Sequence, residues 1–199
     1  IKTSNPVIKV SENKRPTLYL PVADIADEPI KNLKKVYNLV FAGHKTRKRE
    51  VYFSTILDLG FDLWGYPHWK ESKLATYYQG YLNVADMKQM FRQAKIVVNV
   101  STAEEGIPIS IANLKNFEAT GVGTFVLSEY SPALAELYKE NTEMVYFRTK
   151  EELRKKAIYY LKHDKEREKI SLAGWLRTKK DHSYKKRLTK LFNIINENK

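Results

Sequence analysis

From residue 38 onward one unit recurs: a short apolar run, a turn, then a stretch whose apolar residues return at helical spacing. Strands are predicted at 38–42, 61–66, 96–100, 124–127 and 144–147, and helices at 47–59, 84–94 and 113–120. The run Ile96, Val97, Val98, Asn99, Val100 is β-branched and almost continuously apolar, as a parallel strand covered on both faces would be. Thr149 with Glu152 three residues later has capping-box spacing and opens another helix, and further helices are expected at about 164–176 and 182–197. Alternating strands and helices predict an α/β fold, a Rossmann-like domain whose mostly parallel sheet is flanked by helices, with a helical C-terminus. Crossovers should be right-handed, and ligands should bind at the carboxyl ends of the strands near the switch point.

Residues 1–37 break this pattern. Pro6, Pro16, Pro21 and Pro29 punctuate them, and only Thr17-Leu18-Tyr19-Leu20 reads as a short strand. The expected organisation is a linker or incoming segment at 1–37 and one Rossmann-like α/β domain at 38–199. With 199 residues, 43% of them apolar, a sizeable core can be buried. The chain starts Ile1-Lys2-Thr3-Ser4, without a Met or an apolar leader, as a processed chain or a piece of a longer one would.

The chain has no cysteine, which excludes disulfides, thiolate metal sites and cysteine nucleophiles and fits a reducing, cytoplasmic compartment. His44, His68, His163 and His182 do not stand at metal-ligand spacing, so no metal is expected. No apolar run reaches the roughly 18 residues of a membrane span. The net charge of +12 favours anionic partners, whether nucleic acid, acidic lipid headgroups or phosphorylated small molecules.

Three places could carry chemistry. Gly43 follows the first strand of the domain, and Lys45, Arg47, Lys48 and Arg49 lie close behind it. Free N–H groups at such a helix start, with Arg and Lys nearby, would receive a diphosphate. An ordinary helix start with exposed basic residues has the same pattern, and there is neither a G-x-G-x-x-G nor a Walker A loop. The second place follows the 96–100 strand, where Lys115 and Glu118 share a helix face. The carboxylate could accept both hydroxyls of a ribose while the ammonium meets phosphate, although a solvated i,i+3 ion pair looks the same in sequence. The third, Asp181 to Arg187, reads as packing and capping rather than a catalytic pair. Glu104 and Glu105 are the one candidate carboxylate pair, and a loop turning at Gly106 accounts for them.

Taken in order, these stretches resemble a known family. The run NLVFAGHKTRKRE, with Gly43 and Arg49 six residues apart, is similar to the opening of the C-terminal domain of CgeB-like (spore maturation type) group-1 glycosyltransferases. NLKNFEATGVGTFVLSEY looks like that family's R-x-F-E-A segment, with Lys115 at the usual Arg and Glu118 at the ribose-binding Glu. YYQGYLNVADMKQMFRQAKIVVNVS is similar to the segment lining the nucleotide base, which makes Gly80 and Tyr81 candidates for base contacts. His182, Ser183, Tyr184 and Arg187 match its His-Thr/Ser-Tyr-x-x-Arg signature.

The resemblance implies one Rossmann-like half of a GT-B fold. It implies a nucleoside-diphosphate sugar as donor substrate, no cofactor or metal, and an unknown acceptor. Gly43, Arg49, Gly80, Tyr81, Lys115 and Glu118 would bind the nucleotide, and Arg49 and Lys115 would stabilise the departing diphosphate. Replacing either cation with Ala should weaken nucleotide binding with the fold intact. Ser110 stands where retaining members often carry a Glu. The chain has room for one such domain, so an acceptor-binding half would come from a missing N-terminal domain or a partner chain, or has been lost. Two other readings stay open: a basic nucleic-acid-binding module, although no nucleic-acid motif is present, and a non-catalytic Rossmann-like scaffold.

Overall fold

The computed structural model describes residues 8–10, 16–18, 23–30, 33–102 and 112–197. Glu104, Glu105, Gly106 and Ser110 lie outside the described residues. In chain order the strands are β1 (Ile8–Val10), β2 (Pro16–Leu18), β3 (Tyr37–Gly43), β4 (Phe61–Gly65), β5 (Tyr78–Gly80), β6 (Ala94–Asn99), β7 (Phe125–Glu129) and β8 (Val145–Phe147). The helices are α1 (Arg47–Phe53), α2 (Val84–Gln93), α3 (Leu114–Gly121), α4 (Pro132–Ala135), α5 (Lys150–Lys162), α6 (Asp164–Arg177) and α7 (Tyr184–Glu197). A π-helical turn, Thr178–His182, joins the last two.

Six strands form one all-parallel sheet in the order β5-β4-β3-β6-β7-β8. The connections run outward from β3 through β4 to β5, then return to β6 beside β3 and run the other way. The switch point therefore lies between β3 and β6, where the loops diverge and leave a crevice. The expected α/β Rossmann-like fold is observed.

Side chains alternate across the central strands and build two cores. Leu39, Phe41, Leu63, Ile96, Val98 and Leu127 pack on one face against Tyr52, Phe53, Leu153, Ala157 and Ile170 from α1, α5 and α6. Val40, Ala42, Val97 and Val126 pack on the other against Met87, Met90, Phe91 and Phe117 from α2 and α3. These residues are essentially excluded from water on both faces, as a doubly wound sheet requires.

Several elements differ from expectation. The helix expected over 47–59 ends at Phe53, and a separate 3₁₀ turn covers Leu57–Leu59. Ser54 and Thr55 turn their hydroxyls back onto the carbonyls of Val51 and Tyr52, which competes with the helical ladder. Strand β5 was not anticipated, because three residues at a sheet edge carry no periodicity of their own. Val84, the first residue of α2, is 61% exposed although apolar. The capping box is present in half: Thr149 Oγ1 accepts from Glu152 N, but the Glu152 carboxylate reaches Arg148 N rather than the cap residue.

Within the segment expected to be a linker, β1 and β2 pair as an antiparallel hairpin, and residues 23–30 are strapped to the domain. Asp24 N donates to His182 O, Asp27 N donates to Gly121 O, and Trp175 Nε1 donates to Asp27 O. Lys88 and Arg92 of α2 pair with Asp24 and Asp27. The strap thus ties the ends of α2, α3 and α6 together. Its proline and lack of periodicity read as linker because its partners are distant in sequence.

Candidate functional site

The β3 and β4 strands end side by side on Gly43 and Gly65. A Cβ on Gly65 would fall 2.0 Å from the Gly43 carbonyl oxygen, so only glycine permits this approach. Two bare strand ends leave a flat floor beside the switch crevice. The Gly43 carbonyl is held from below by Trp69 Nε1 at 2.8 Å.

Lys115 reaches over this floor. It sits in the first turn of α3, whose N-cap Asn113 accepts the Lys115 backbone N–H at 3.0 Å. Its side chain is half-buried, with Nζ 5.8 Å from the Phe41 ring centre and no hydrogen bond or ion pair among the described residues. Burial holds its pKa below the ordinary lysine value and the Arg49 charge adds to this, while Glu118 works in the opposite direction. One turn further along α3, Glu118 is 9% exposed, and its carboxylate accepts no hydrogen bond among the described residues. Burial raises its pKa, partly offset by Lys115 and Lys88, with Asp24 adding to the rise. A buried carboxylate without donors is costly unless a ligand supplies them. Lys115 and Glu118 thus stand one turn apart on α3, one half-buried and the other buried, rather than as a solvated surface pair.

Arg49 departs from expectation. It is 2% exposed, and its guanidinium lies 4.8 Å from the Phe41 ring centre. Nε donates to Val100 O at 2.9 Å and Nη1 to His44 O at 2.7 Å. Burial pulls its pKa down to about 10, with Glu129 opposing the shift. Two of its donors tie the exit of β6 to the β3–α1 loop, so Arg49 also organises the crevice, and its removal cannot leave the fold untouched.

Lys48, one of the basic residues behind Gly43, is also buried. Its ammonium lies 2.6 Å from Glu129 Oε1 and 3.3 Å from Ser101 Oγ. Glu129 at the end of β7 went unrecognised. A single acid closing the apolar run FVLS was the available signal, since strand carboxyl ends are where such folds gather ligand-side groups.

Gly80 and Tyr81 lie at the far side of the same edge, at the end of β5. Among the described residues nothing stands within 4 Å of the Cβ position of Gly80, and Tyr81 is 61% exposed. Tyr81 meets Tyr66 edge-on at 5.6 Å, and Tyr66 stacks on His44 at 4.0 Å, with planes 12° apart. The ends of β3, β4 and β5 thus carry an aromatic ledge continuous with the glycine floor, of which only Tyr81 was foreseen.

His182 is buried between Phe117 and Tyr138. Its Nε2 pairs with Leu137 O at 2.9 Å, so Nε2 carries the proton, and Nδ1 faces Arg187 Nη2 at 3.4 Å. This is a packing role, as the sequence suggested. A cavity of about 430 Å³ bordered by Lys35, Arg92, Val122 and Gly123 opens at the amino ends of β3, β6 and β7, the opposite edge from these groups. Among the described residues no three His, Asp or Glu side chains gather around a common point, and no helix is long and apolar enough to cross a membrane.

Residues 45–193 match a family model described as glycosyl transferase-like, three quarters of the chain. No curated protein sequence matches. Among solved structures, sucrose-phosphate synthase from Thermosynechococcus elongatus superposes with a TM-score of 0.68 at 12% identity, over 89% of this chain and 51% of that one. Anabaena HepE in complex with UDP-glucose gives 0.65 at 10% identity, over 81% and 49%. The C-terminal domain of the group-1 glycosyl transferase LpcC from Francisella tularensis gives 0.56 at 13%, over 78% and 95%. The chain thus spans about half the length of the first two and most of the third, and at these identities the likeness establishes the fold.

Proposed function

The chain belongs to the glycosyl transferase-like family, and from that premise we propose that residues 38–199 are the donor-binding half of a GT-B type glycosyltransferase of the CgeB-like group. The substrate is a nucleoside-diphosphate sugar, and the sugar passes to an acceptor held by a second domain or a partner chain. One observation carries this reading: a half-buried ammonium and a buried carboxylate, Lys115 and Glu118, lie one turn apart beside the switch crevice with no hydrogen-bond partners among the described residues. A nucleoside diphosphate supplies what both lack, phosphate oxygens for Lys115 and two ribose hydroxyls for Glu118.

Transfer breaks the bond between the sugar and the terminal phosphate, so negative charge grows on the leaving diphosphate. On this reading Lys115 and Arg49 would stabilise that charge, without a bound metal. Gly43 and Gly65 let the diphosphate lie close to the backbone, and Gly80 with the Tyr66–Tyr81 ledge offers a surface for the base. A cytoplasmic location accords with an intracellular nucleotide-sugar supply and with a chain that has no cysteine.

Thermal unfolding in the presence of UDP, GDP, TDP, ADP or CMP tests the reading, because a ligand of the folded state raises apparent stability by mass action. A selective upward shift that survives moderate salt and disappears in Lys115→Ala is the expected result. A shift common to all polyanions and abolished by salt would instead indicate non-specific binding to the basic surface.

A further inference from the structure

Two consecutive residues of α1 hold two consecutive residues at the exit of β6. Arg49 Nε donates to Val100 O at 2.9 Å, and Ser101 N donates to Glu129 Oε2 at 2.9 Å. The other oxygen of Glu129 lies 2.6 Å from Lys48 Nζ, which also reaches Ser101 Oγ at 3.3 Å. Both members of the ion pair are more than nine-tenths buried. Removing two charges from water is costly, and a buried pair is often no more stable than an apolar pair of the same shape. What the pair does supply is direction: one carboxylate engages a backbone N–H and an ammonium at once and allows a single arrangement of α1, β6 and β7.

That arrangement lies beside the crevice bordered by Gly43 and Lys115. Resting on the donor-site reading above, we propose that Glu129 and Lys48 are positioning residues of the diphosphate site, acting through Ser101 and Arg49. Glu129 neutralises Lys48 and keeps its ammonium against β7, so that Lys115 is the cation turned to the ligand. It also fixes the Ser101 backbone, and with it the Val100 carbonyl that aims Arg49. Without Glu129, Lys48 loses this buried counter-ion, and the crevice relaxes to hydrate it.

The experiment measures UDP affinity by calorimetry and amide exchange at Ser101 in the wild-type chain, in Glu129→Gln, and in the double variant Lys48→Met/Glu129→Gln. The double variant removes both charges and keeps both shapes, so it is expected to melt close to wild type. The proposal expects UDP affinity to fall roughly tenfold or more in both variants, as small misplacements of binding groups do, with Ser101 exchange faster in both. A double variant that melts like wild type and binds UDP as tightly overturns the proposal and leaves the donor site standing. A wild-type chain that binds none of UDP, GDP, TDP, ADP and CMP overturns the donor reading and the proposal with it. Loss of stability in Glu129→Gln with unchanged affinity in the folded fraction assigns the pair a purely structural role and likewise overturns it.

Discussion

Lys115 crosses directly over Gly43: a Cβ on that glycine would lie 3.2 Å from Lys115 Cε and 2.9 Å from the Phe41 ring. The bare Cα therefore makes room for the ammonium at the end of the strand. Gly43→Ala is expected to cost about 1–3 kcal/mol through overpacking and to lower nucleotide affinity as Lys115 is displaced. Lys115→Ala should leave stability within about 0.5 kcal/mol, because the ammonium has no hydrogen bond or ion pair to lose among the described residues, yet weaken UDP binding by about 1.5–3 kcal/mol. Thermal melts and calorimetry on both variants separate the two effects. Equal affinity in wild type and Lys115→Ala would remove Lys115 from the site.

Arg49→Ala should behave differently. It strands the carbonyls of Val100 and His44 and opens a space over Phe41. A loss of about 2–5 kcal/mol is expected, seen as a lower denaturant midpoint before any ligand is added. Arg49→Lys keeps the charge but cannot satisfy two carbonyls from one fork, so it should recover only part of the loss. A midpoint unchanged in Arg49→Ala would show that these bonds carry no net weight.

Glu118→Gln should separate stability from function in the opposite sense. The carboxylate is buried, its pKa is raised chiefly by that burial, and it accepts no hydrogen bond among the described residues. A raised acid penalises the folded state above its folded pKa, and the penalty fades as pH falls towards the ordinary 4.5. The variant is therefore expected to be at least as stable as wild type at neutral pH and to bind ribonucleotides more weakly. Wild-type affinity should also fall on acidification as Glu118 takes up a proton, a dependence the variant should lack. A nucleotide affinity with the same pH profile in both proteins would sink the assignment.

His182 sets a separate pH limit. Burial lowers its pKa from 6.5 to about 4, a direction reinforced by Arg187 and opposed by the hydrogen bond to Leu137. Above 6.5 neither folded nor unfolded chain is protonated there. Between about 6.5 and about 4 the unfolded chain binds a proton that the folded chain does not, and stability falls by up to about 3 kcal/mol before levelling. His182→Gln should flatten that part of the stability profile measured by chemical denaturation. An identical slope in the variant would place the titration elsewhere.

The alternation of apolar runs determined the class of the fold, because a strand covered on both faces and a helix packed on one face each impose a period on the sequence. The same local chemistry marked Gly43, Lys115 and Glu118, whose spacing follows from one strand end and one helix turn. It did not reveal that Lys48 and Arg49 face inward. Their partners, Glu129 and Val100, lie many residues away and meet them only after β6 and β7 assemble beside β3. Nor could it reveal the strap at 23–30, whose polar groups pair with α2 and α6 across most of the chain. Periodicity records which way a residue faces within its own element. Whether a charge is solvated, buried in a pair or left waiting for a ligand depends on what packs against that face, and only the tertiary structure decides it.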